Sequence, residues 1–77
     1  MIEDLNWGIE RYPDNATNYV LRGEWFLGQK QYLLAQADFE RALELVEVQV
    51  QTDEWGIISQ AMRDRAMSGL RRVAYGE

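Results

Sequence analysis

The residues able to do covalent or acid–base chemistry lack the partners that such chemistry needs. Ser59 and Ser68 carry hydroxyls, but the chain has no histidine to take a proton from either and no cysteine to offer a thiolate. The same two absences remove a Cys/His zinc site and an imidazole general base. Lys30 stands beside an expected helix start with no sign of the burial that would activate an amine as a nucleophile. Glu40 and Glu44 share one face of a helix. Metal binding or general acid work needs enclosed, convergent carboxylates, so this pair reads as solvated charge. Gly23 and Gly28 do not have the spacing of a phosphate-cradling loop. The expectation is a protein that is not an enzyme, with no cofactor and no metal.

What must position any functional side chain is therefore a small folded core. At 77 residues there is one domain at most, and a domain near this size buries only about 60% of the surface its unfolded chain exposes. Its stability margin is thin. The composition, 47% hydrophobic and 27% charged, is too apolar for a disordered tail. The net charge of −5 argues against a nucleic-acid partner, because a phosphate backbone selects a basic surface. That charge is uneven: residues 1 to 54 hold eleven acids and four bases (−7), and residues 55 to 77 hold two acids and four bases (+2). No apolar run approaches the roughly 20 residues that span a bilayer, and the first residues lack the basic start of a signal peptide. A cytoplasmic protein without a membrane partner is expected.

Pro13, Asp14 and Asn15 make the one clear break in the chain, since proline cannot continue a helix and Asp and Asn favour turns and N-caps. Before it, Ile2, Leu5, Ile9 and Tyr12 recur at helical spacing and predict a helix over Ile2 to Tyr12. After it, Asn15 or Thr17 caps a second helix carrying Tyr19, Val20, Gly23, Phe26 and Leu27, which Gly28 should close in the left-handed conformation. A third helix is expected from about Lys30 through Leu45 or beyond. Tyr32, Ala35, Phe39, Ala42 and Val46 form its main face, and Leu34, Leu45 and Val48 a second apolar edge. The alternation over Val46 to Val50 is strand-like but too short and isolated to build a sheet. Thr52, Asp53 and Glu54 suit the start of a fourth helix that buries Trp55, Ile58, Met62, Ala66, Gly69 and Val73. Arg71 and Arg72 lie in its last turn and Gly76 stops it. The class is all-α.

An internal repeat organises these helices. At an offset of 34 residues Asp4 meets Asp38, Leu5 meets Phe39, Gly8 meets Ala42, Ile9 meets Leu43 and Glu10 meets Glu44. Small residues meet small ones and bulky apolar residues meet bulky apolar ones. With this period, and with Tyr19, Gly23, Phe26, Tyr32, Ala35, Phe39 and Ala42 in place, residues 16 to 47 resemble a tetratricopeptide repeat. Pro13 stands where a preceding repeat would place its closing proline. Two positions depart from the pattern: Arg22 replaces an apolar residue and Glu47 replaces the closing proline. The resemblance implies antiparallel hairpins stacked as a short right-handed solenoid. Residues 1–13 would be the second helix of a partial repeat, 16–47 a full repeat, and 52–75 a long capping helix that fits only at an offset of 36.

What the resemblance implies about function is the binding of a protein or peptide partner on a concave face. That face would be lined by Thr17, Val20, Glu24 and Leu27 of the second helix, with Gln60 and Arg63 of the fourth. In the carboxylate-clamp members of the family such positions carry Lys, Arg and Asn. Val20 and Glu24 occupy them here, so no binding of chaperone C-terminal peptides is expected. The alternative is an assembly protein whose main contact is with itself. Trp7 bears on both readings, because it points away from the stripe of Ile2, Leu5 and Ile9: it either covers a neighbouring element or meets a partner. A homo-oligomer through Trp7 and the first helix would supply the cover this helix lacks, as would a fourth helix folded back over it.

Overall fold

Local chemistry places the helix ends, and the ends place the rest. A computed structural model describes residues 1–50 and 56–76 as four helices, α1 (Ile2–Arg11), α2 (Ala16–Gly28), α3 (Tyr32–Val50) and α4 (Gly56–Tyr75). No strand occurs among the described residues. α1 stops at Tyr12, held at φ −131° and ψ 67°, because the ring of a following proline excludes the helical region from the residue before it. Asn15 then caps α2 by accepting a hydrogen bond from the Thr17 backbone N–H at 2.9 Å. Val46 to Val50 are helical, continuing α3. The expected N-terminal signals of the fourth helix, Thr52, Asp53 and Glu54, lie outside the described residues, as does Trp55.

The end of α2 corrects one expectation. Gly28 is the last helical residue, and the left-handed position falls on Lys30, at φ 59°. Backbone N–H groups of Gln31 and Lys30 donate to the carbonyls of Phe26 and Leu27 at 2.9 and 3.0 Å. This is the paired closure that glycine usually makes. It comes two residues late because Gly28 tolerates a helical conformation at modest cost while the helix continues past the buried Leu27. Gly76 does take the left-handed conformation, φ 71°, and stops α4.

The core is built where α2, α3 and α4 meet. Phe39 of α3 is fully buried with Val20, Leu27, Ala35, Ala42, Val46 and Ala66 around it. Glycines on two different helices face its ring. A methyl at Gly23 would lie 2.8 Å from Phe39 Cε1, and a methyl at Gly69 would overlap the same ring more severely. Two helices thus approach one aromatic side chain at a distance that only glycine permits. The Tyr32 hydroxyl donates to the Gly76 carbonyl at 2.7 Å, which ties the start of α3 to the end of α4.

α1 stands apart from this layer. It packs on α2 and on no other described helix, whereas α2 also touches α3 and α4, and α3 touches α4. Gly8 is its one buried residue, set against the Asn18 side chain. The long fourth helix therefore does not fold back to cover it. For the same reason the second apolar edge of α3 is only partly used: Leu45 is buried, but Leu34 and Val48 are exposed, since α1 does not reach them. Ile58 is another correction, exposed where burial was expected. The rest of the described inward face of α4 is as expected, Met62, Ala66, Gly69 and Val73, with Ser59 and Leu70 added to it.

Candidate binding surface

The six residues expected to line a partner groove do not form one surface. Val20 is fully buried and Leu27 nearly so. Their three- and four-residue spacing does put them on a common face, but it is the face of Ala16, Val20, Gly23 and Leu27 that the core takes. As core residues they hold the helices together and present nothing to a ligand. Glu24 is half-buried and committed: both its carboxylate oxygens accept from Arg65 of α4, the Nε bond being 3.0 Å. Arg65 was not anticipated from the sequence, where Arg63, two residues earlier and on the other side of the helix, was the candidate. Gln60 and Arg63 are exposed on α4.

Thr17 belongs to a different place. With Arg11, Tyr12, Pro13 and Asn15 at the α1–α2 turn, and Ile58 across from them, it lines a half-open groove of about 550 Å³. Its lining mixes apolar side chains, Tyr12, Pro13 and Ile58, with polar and charged ones, Arg11, Asp14, Asn15 and Thr17. A groove of that volume is large enough for a side chain or short peptide segment.

Arg22, the departure from the repeat pattern, has a structural reason. Its guanidinium donates from Nε and one terminal nitrogen to the two oxygens of Asp38, both at 2.8 Å, and from the other terminal nitrogen to Asn6 Oδ1 at 2.9 Å. The rings of Tyr19 and Phe26 flank it at 5.8 and 5.7 Å. One side chain thereby joins α1, α2 and α3. Asp38 is buried, so the fork supplies the charge that a buried carboxylate requires. The hydrogen bond to Asp38 is the main cause that raises the Arg22 pKa above its ordinary value, against the opposing effect of burial. Because the folded pKa is the higher one, this contribution to stability is complete below the ordinary arginine pKa and is lost only above it. Sequence reasoning missed the pair. A signal existed, since Asp38 falls on the Ala35–Phe39–Ala42 face and a carboxylate there needs a cation or hydrogen-bond donors beside it.

The remaining candidates for chemistry are engaged or scattered. Glu44 pairs with Arg41 at 3.0 Å and Glu40 accepts from Gln36 at 3.4 Å, so the two carboxylates do not converge. Among the described residues no cluster of acids, histidines or cysteines could hold a metal ion. Ser59 is buried in the core, and Lys30 is exposed at the α2–α3 turn. Trp7 is 55% exposed, with the Arg11 guanidinium 5.0 Å from its ring centre. No described helix is long and apolar enough to cross a membrane. Comparison with protein-family models, curated proteins and solved structures found no match to this chain.

Proposed function

We propose that this chain is a non-enzymatic protein-interaction module, built as a short tetratricopeptide-like solenoid. The observation that carries the reading is the order in which the helices touch. α2 packs on α1, α3 and α4, and α3 packs on α4, while α1 meets α2 alone. A stacked array has this nearest-neighbour order, and it leaves a first and a last helix each with an outer face that no other described helix covers. The seven residues behind the family resemblance support it too, because Tyr19, Phe26, Tyr32, Ala35, Phe39 and Ala42 all lie in or against the core and Gly23 admits the Phe39 ring.

The partner is a protein segment, met by Thr17 at the α1–α2 groove and by Gln60 and Arg63 on α4. Gln60→Glu with Arg63→Glu changes two exposed side chains and leaves the core intact. The test uses the purified chain as bait at micromolar concentration. A defined protein retained by the wild type and lost by the double variant supports the reading. Retention of nothing, or of proteins indifferent to the variant, overturns it. An acidic C-terminal chaperone peptide should show no micromolar binding by calorimetry, since Val20 and Glu24 offer no cationic clamp.

A further inference from the structure

The outer faces of α1 and α4 carry complementary patterns. On α1, Trp7 lies opposite the buried side of the helix, with Asp4 one turn before it and Glu10 and Arg11 one turn after. All four are exposed, and none of the three charged residues makes a salt bridge with a described residue. On α4, Met67, 46% exposed and next in the chain to the buried Ala66, lies at the edge of the outer face, between Arg63 and Asp64 before it and Arg71 after it. These charged residues are likewise exposed and without a salt bridge to a described residue.

From this complementarity we infer that the chain associates head to tail, α1 of one copy packing antiparallel on α4 of the next with Trp7 against Met67. The inference rests on the reading of the chain as an interaction module and names one partner for it, a second copy.

Helical geometry gives the register. At 100° per residue, Asp4 and Arg11 lie to one side of Trp7 and Glu10 to the other; Asp64 and Arg71 lie to one side of Met67 and Arg63 to the other. An antiparallel placement brings like sides together. Asp4 then meets Arg71, Glu10 meets Arg63, and Arg11 meets Asp64, three opposite-charge pairs around a sulfur–aromatic contact. A parallel placement would set Glu3 against Asp64. Along the axis, Asp4 to Glu10 spans about 9 Å and Arg63 to Arg71 about 12 Å, a difference arginine side chains absorb. The described charges of the two helices also differ in sign: Glu3, Asp4, Glu10 and Arg11 make α1 −2, and Arg63, Asp64, Arg65, Arg71 and Arg72 make α4 +3. Because the two faces are different surfaces, the contact is heterologous, and each copy keeps one free end until a ring closes.

Charge reversal tests this on the whole chain. Light scattering and sedimentation should show a mass that rises with concentration and falls as salt is added. Arg63→Glu with Arg71→Glu, and separately Asp4→Arg with Glu10→Arg, should each weaken association about tenfold or more, with far-UV circular dichroism confirming that both variants remain helical. An equimolar mixture of the two variants should reassociate, since each then carries the face the other needs. A wild-type chain that stays monomeric across the concentration range overturns the inference, as does a mixture of the folded variants that fails to assemble. If that monomeric chain still retains a foreign protein sensitive to Gln60 and Arg63, only the self-association is lost and the broader reading stands.

Discussion

Phe39 and Trp7 are both large aromatic side chains on helices of one small domain, yet one is the centre of the core and the other is half in solvent. Phe39 has glycine on two neighbouring helices, so α2 and α4 both close on its ring. Trp7 belongs to a helix with a single neighbour, and the one tight approach there, Gly8 on Asn18, is to a flexible polar side chain. Burial in this molecule follows the number of helices that can reach a residue more closely than it follows the residue's own hydrophobicity. The two regions are joined through Arg22, which is fixed to Asp38 in the core and extends to Asn6 on α1.

The comparison breaks most severely at its centre. Phe39→Ala should cost about 3 to 5 kcal/mol, a large part of the 5 to 15 kcal/mol or so that domains possess. Urea unfolding followed by circular dichroism would then show a midpoint shifted far toward zero denaturant. Loss of less than about 1 kcal/mol would mean that the layer is not the seat of stability. Arg22→Ala ranks next. It strands the buried Asp38 carboxylate, and because 23% of the arginine side chain is exposed, the loss should fall somewhat below the range for a fully buried pair, at about 2 to 3 kcal/mol. Hydrogen exchange should report it on both sides of the link, with α1 amides losing protection along with those of α3.

A matched pair of glycine substitutions sharpens the contrast. Gly69→Ala drives a methyl into a ring that Gly23 blocks on another side, so overpacking should outweigh the gain in helix propensity and leave a net loss of about 1 to 2 kcal/mol. Gly8→Ala meets only the Asn18 amide, at 3.0 Å, which can rotate aside, and the net change should lie within about 0.5 kcal/mol of zero. Equal losses at the two positions, measured by thermal or urea unfolding, would erase the distinction between core and edge. One further effect has the opposite sign. Lys30→Gly relieves the left-handed strain at the end of α2 and should stabilise the domain by about 1 kcal/mol, raising the melting temperature by a few degrees.

Much of the local structure was legible in advance. The helix ends at Pro13 and Gly76, the Asn15 cap and the buried face Ala35–Phe39–Ala42–Val46 all follow from turn chemistry and periodicity, which act over a few residues. The candidate surface was legible only in pieces. Thr17, Gln60 and Arg63 stayed at or near the surface, but Val20 and Leu27 went into the core. Spacing shows which residues share a face and is silent on which side of that face the neighbouring helices will take.

The repeat comparison separates the two kinds of information further. At the offset of 34, Gly8 and Ala42 are both buried and Ile9 and Leu43 both half-buried, whereas Leu5 is half-buried and Phe39 fully buried, and Asp4 is exposed and Asp38 is buried and paired. By itself, the sequence determined four helical segments, the break at Pro13 and most of the apolar faces, because backbone sterics and a period of 3.6 residues are local properties. Tertiary structure alone decided that Phe39 would be enclosed and Trp7 left open, that Arg22 would find Asp38 and Arg65 would find Glu24, and that α1 would have one neighbour. Those outcomes depend on distances between residues far apart in the chain, which the packing of whole helices sets.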